Sequence, residues 1–201
     1  MDKEIGFNRN FYLAWLDATA AFCGETDDPG EIRARLDPVL AQKIHSAESR
    51  NKAINILLNI WLKSAQIAPT LREKAVTRFQ TSTTVGNRIW LHYGLTLLAY
   101  PFFRDVTATV GQLGRIAESV TPAAVKGRLI AGYGQLGSLE KAVERVLFSL
   151  RDWEALVPAE GRYTYALQRR AFAANAPDVE AWLLACALRA HPAEELPFAD
   201  L

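Results

Sequence analysis

Cysteine, methionine and histidine are scarce in this chain: two, one and three among 201 residues. Each scarcity removes a class of chemistry. Cys23 and Cys186 lie far apart inside apolar helical patterns, and with no signal peptide in front of them a disulfide framework has little support. A reducing cytoplasm fits that usage. His45, His92 and His191 are isolated, without the close partners that a zinc site or a Cys–His nucleophile requires. The longest apolar run, Ile89 to Phe103, carries His92 and Pro101 and is closed by Arg88 and Arg104. It falls short of the ~20 residues that span a bilayer. The paired carboxylates Glu194 and Glu195 sit in an acidic terminal stretch, where solvation is their ordinary role. The expectation is a non-enzymatic protein with no cofactor, no metal and no membrane partner.

Hydrophobic residues are plentiful at 50%, with five Trp, six Tyr and nine Phe, the composition of a packed globular chain. The net charge of +1 hides a pattern. Residues 1–40 carry four basic and eight acidic side chains and residues 172–201 one and five, whereas residues 41–100 carry eight and two and residues 101–171 ten and seven. A basic middle suits a phosphate-facing surface.

Apolar residues recur at helical spacing through most of the chain. Phe11, Trp15, Ala18 and Phe22 mark a first helix. Asp28 and Pro29 cap and open a second, with a thin stripe at Ile32, Leu36 and Leu40 interrupted at Pro38. From Ser46, the residues Ala53, Ile54, Leu57, Leu58, Trp61 and Leu62 form a core stripe, opposite a face of Arg50, Lys52, Asn55, Asn59 and Lys63. Pro69 opens a further helix, and Val85 to Tyr100 is apolar on nearly all sides, the pattern of a central helix. Pro101 breaks it. Val106, Val110, Leu113 and Ile116 continue as a helix to Glu118, and Val179, Trp182, Leu183 and Cys186 mark a last one between Pro177 and Leu188.

The densest signal lies between Thr121 and Leu167. Thr121-Pro122 is a direct helix start, Gly132 and Gly134 permit a sharp turn, and Ser138 is placed to cap a second helix. Leu139, Ala142, Val143, Val146, Leu147 and Leu150 fix the buried face of that helix, leaving Glu140, Lys141, Glu144, Arg145, Ser149 and Arg151 outward. Leu156 and Val157, a turn at Pro158 to Gly161 and a return strand at Arg162 to Tyr165 complete a β-ribbon. This order is that of a winged helix-turn-helix, whose second helix enters the major groove. The expected fold is therefore mainly α: a helical body over 1–105, a winged helix-turn-helix module with a short β-ribbon wing over 106–171, and a C-terminal helix and tail over 172–201 packing on the body. The DNA-binding candidates are Gln135, Ser138, Lys141 and Arg145 on the second helix, Arg162 at the wing tip, and Arg169 and Arg170 beyond it. Glu140 and Glu144 oppose phosphate contact if they face it.

Residues 132–137, GYGQLG, match G-x-G-x-x-G letter for letter. A dinucleotide fingerprint needs a strand before it and an acidic residue about 20 positions on. Here the pattern places a helix first, so the glycines belong to a turn.

The N-terminal helices leading to SRNKAINILLNIWLKS, the LLAYPFFRDV junction and the segment ending SLEKAVERVLFSLRDWEAL resemble the BrxA family, small helical proteins of bacterial BREX phage-exclusion systems. The resemblance implies an all-helical, non-enzymatic protein that binds double-stranded DNA and supports a multiprotein defence system. Two other roles fit the residues: a protein-interaction adaptor within such a complex, and a winged-helix transcription regulator. RNA binding is a more distant alternative.

Overall fold

The computed structural model describes residues 5–7, 9–81, 85–134, 137–168 and 177–193. The protein is mainly helical, with one small two-stranded sheet. Helix α1 (Leu13–Cys23) is followed by α2 (Pro29–Ala41), where the Asp28 carboxylate accepts from Glu31 N at 2.6 Å. The α2 helix runs through Pro38 to Ala41 instead of being interrupted there. Ser46 caps α3 (Ala47–Leu58), which passes through a π-helical segment (Asn59–Lys63) into the short α4 (Ser64–Ile67). The backbone loosened by the π turn is not left unsatisfied. The Trp61 carbonyl accepts from Arg72 Nε at 3.0 Å, and Arg72 Nη2 also reaches Asp27 at 2.6 Å.

Arg72 belongs to α5 (Pro69–Thr81). Next comes α6 (Val85–Ala99), the centre of the body: α1, α4, α5, the π segment and α10 (Pro177–Ala190) all pack on it. A Cβ on Gly94 would lie 2.5 Å from the Trp182 ring, so only glycine lets α10 approach this closely. His92 is fully buried on α6. Trp61 Nε1 donates to its Nδ1 at 3.1 Å, and its Nε2 lies 2.9 Å from Asp17 Oδ1. An indole N–H can only donate, so Nδ1 accepts and the proton sits on Nε2, toward Asp17. Burial lowers the His92 pKa; Asp17 opposes the shift without reversing it.

Pro101 starts α7 (Pro101–Ile116), which crosses the expected boundary at 105–106 without a break and ends two residues before Glu118. Ile116 is 73% exposed and so does not extend the inward stripe. Then come α8 (Pro122–Tyr133), α9 (Leu139–Asp152), β1 (Leu156–Pro158) and β2 (Tyr165–Leu167). Thr121 caps α8 as its sequence suggests, its hydroxyl accepting from Ala124 N at 3.2 Å. Ser138 holds the equivalent position before α9, but its side chain makes no capping bond.

The ribbon pairs Leu156 with Leu167, Val157 with Ala166 and Pro158 with Tyr165. Its turn is therefore longer than the sequence suggests: Pro158 is in the first strand, and Arg162, Tyr163 and Thr164 lie in the loop. The cause is local. Gly161 and Tyr163 both adopt positive φ, at 102° and 58°, and Ala159 N closes the loop on the Thr164 carbonyl at 2.9 Å. Val120 adds a single antiparallel bridge to the free edge of β2, its N and O both bonded to Tyr165.

A continuous apolar cluster joins the two ends of the chain. Phe7, Phe11, Phe103 and Trp153 meet with ring centroids 4.7 to 5.8 Å apart. Asp152 Oδ2 accepts from Leu13 N at 2.7 Å, so a carboxylate of α9 satisfies the positive N-terminus of α1. Ser149, expected on the outward face, is fully buried because the N-terminal segment covers it, and its hydroxyl donates to the Phe11 carbonyl at 3.2 Å.

Candidate nucleic-acid interface

The sequence of α9 decides what it shows to solvent. All six stripe residues are buried, and Trp153 closes the stripe at full burial. Glu140, Lys141, Glu144 and Arg151 are thereby exposed, with Arg145 half-buried. Gly134 follows α8 at φ 70°, so a helix and not the strand of a dinucleotide fingerprint precedes it.

Between this face and the ribbon lies an open cleft of about 500 Å³. Lys141, Glu144, Arg145, Phe148 and Arg151 of α9 form one side, Tyr163 and Tyr165 the other, and Asn10 reaches in from the N-terminal segment. The ribbon is held close to the helices by a glycine. A Cβ on Gly114 of α7 would fall 1.8 Å from Leu167 Cδ1, so β2 lies directly on the helix backbone.

The charges in the cleft are uneven. Glu140 is neutralised by Lys126 of α8 at 2.6 Å, which leaves Glu144 as the acid facing the cleft. Lys141, Arg145 and Arg151 have no ion pair among the described residues. Arg151 rests on the Phe148 ring, 5.2 Å from its centroid. Partial burial, and then the Arg9 charge, push the Arg145 pKa below its ordinary value, with Glu144 opposing. The guanidinium remains protonated at neutral pH.

Of the expected site residues, Lys141 and Arg145 line the cleft together. Ser138 is exposed at the start of α9, outside the lining. Arg162 stands at the ribbon tip, 4.8 Å over the Tyr163 ring and donating to its hydroxyl at 3.1 Å. Gln135, Arg169 and Arg170 fall outside the described residues. Arg151, Tyr163, Tyr165 and Asn10 join the site without having been singled out. Arg151 was legible as an outward cation, and the tyrosines as ribbon residues. Asn10 carried no signal, because its place depends on the docking of α1 against α9.

Among the described residues, no group of three His, Cys, Asp or Glu side chains is arranged to hold a metal, and no helix is long and apolar enough to cross a membrane. Both cysteines are buried and free, and burial pushes their thiols up to about 11 at Cys23 and about 12 at Cys186. They are therefore protonated and unreactive at neutral pH. No protein-family model, curated protein or solved structure matches the chain.

Proposed function

We propose that residues 101–168 act as a winged helix-turn-helix module that binds double-stranded DNA. In this reading the protein is a non-enzymatic accessory component of a bacterial phage-defence system of the BREX type. The observation that carries the DNA reading is the cleft itself, where three cations with no ion pair among the described residues, on one amphipathic helix, face a ribbon with an exposed tyrosine and arginine at its tip. The order of elements supports it: a helix, the Val120 bridge, two helices, a strand, a loop and a strand paired with both β1 and Val120. Winged helices place these parts so that the second helix enters the major groove and the wing follows the backbone. Glu144 faces the same cleft and limits the attraction, so the module reads as a binder of modest sequence specificity.

A fluorescence anisotropy titration with a labelled duplex tests this. Phosphate contacts release counterions, so affinity falls steeply between about 50 and 200 mM salt. An excess of single-stranded RNA leaves the duplex bound. No duplex binding at low salt sinks the proposal, and displacement by RNA moves it to the RNA reading.

The adaptor alternative has an observation of its own. Leu184 and Leu188, one helical turn apart on α10, are 46% and 40% exposed. Capture of other defence proteins through α10, with no duplex binding, favours it.

A further inference from the structure

The cleft between α9 and the ribbon holds more than a path for phosphates needs. Alongside its cations it presents three aromatic rings, Phe148 on α9 and Tyr163 and Tyr165 on the ribbon, and one acid, Glu144. We propose that the cleft takes an unpaired nucleotide, its base stacked on the ribbon tyrosines and its exocyclic amine on Glu144, so that the preferred ligand is a duplex with a single-stranded tail. The inference rests on the DNA reading above and names the form of DNA that the same site takes.

Three observations carry it. The first is the chemistry of the walls. Aromatic side chains hold nucleic acid by stacking on the faces of bases. Within a continuous duplex those faces are covered by the neighbouring pairs, so the rings find a partner only where a base is unpaired. The volume of about 500 Å³ lies within the range of small-molecule sites and suits one nucleotide. The second is the display of the tyrosines. Tyr163 has φ 58°, a left-handed backbone that strains a side chain of its type, and its ring is 59% exposed instead of packing on the body. Arg162 lies over that ring and donates to its hydroxyl, while Tyr165 is anchored through its N and O to Val120. The ribbon thus offers the cleft one ring on an anchored strand and one with a cation against it. The third is Glu144, which is exposed and makes no hydrogen bond or ion pair among the described residues. On a path of phosphates this acid only subtracts affinity. Beside a base it accepts from an exocyclic amine, as glutamate does with cytosine.

The test uses the full chain and one labelled duplex made blunt, with a short cytosine tail, with a thymine tail, and with an abasic tail that carries the same phosphates, the tail being placed on each strand in turn. The cytosine tail is expected to bind about tenfold tighter than the abasic tail, the worth of one stacked base, with the thymine tail between them. Tyr163→Phe is expected to keep that preference. Tyr163→Asn, which tolerates the left-handed backbone, is expected to lose it, and unchanged thermal melting shows that the variant folds. Glu144→Ala is expected to bring the cytosine tail to the level of the thymine tail. If the blunt duplex is bound but the cytosine tail gains nothing over the abasic tail, or its gain survives Tyr163→Asn, the inference is overturned and the DNA reading stands. Failure of every duplex to bind removes both. Equal affinity for cytosine and thymine tails in the unaltered chain overturns the contact with Glu144.

Discussion

The body and the α9 cleft both carry many cations, and they differ in what answers them. On the body, Arg35 reaches Glu25 at 2.8 Å, Arg50 reaches Asp37 at 2.7 Å, and Lys52 is paired with Glu48. Acidic residues from both ends of the chain fold back onto the basic middle: Asp17 toward Arg88, Asp27 onto Arg72 and Asp178 onto Arg78. In the cleft, Lys141, Arg145 and Arg151 have no such partners among the described residues. A segment's net charge therefore says little about which of its cations are left without an acid. The excess of basic residues over 41–100 is largely neutralised within the fold.

The largest expected effect separates geometry from charge. Gly114→Val puts a side chain where Leu167 packs, and overpacking of this kind costs about 3 kcal/mol. Chemical denaturation should show that loss, and the displaced ribbon should weaken duplex binding with every cation still present. Full affinity in a folded Gly114→Val variant would show that the ribbon takes no part.

A smaller effect concerns the body alone. The folded His92 pKa lies below its ordinary value of 6.5, so the unfolded chain binds more protons as the pH falls. The contribution is fully present above about pH 6.5 and is lost on acidification through the folded value. Thermal melting should therefore fall between about pH 7.5 and 5.5, and His92→Gln, which can still accept from Trp61 and donate to Asp17, should flatten that dependence. A decline of the same size in the variant would place the titrating group elsewhere.

Much of the helical framework was legible because its signals are local. Asp28 and Thr121 cap the helices they precede, Pro101 separates α6 from α7, and the stripe from Leu139 to Leu150 fixes the buried face of α9. Features that depend on remote contacts were not. The ribbon register turns on the positive φ of Tyr163, a conformation no side chain of its type advertises. Ser149 is buried by a segment 138 residues away, and Asn10 of the same segment reaches the α9 cleft. Lys141 and Arg145 could be read from helical periodicity; Asn10 beside them could not.

The central claim is that the α9 cations with no ion pair among the described residues, and not the paired ones of the body, hold DNA. It is tested most directly by the salt slope of duplex affinity for the unaltered chain, Lys141→Glu/Arg145→Glu and Lys52→Glu measured side by side. The α9 variant should bind more than about tenfold weaker, with a slope reduced by about two, while Lys52→Glu keeps the parent slope. Equal losses in the two variants, or a loss confined to Lys52→Glu, would contradict the account.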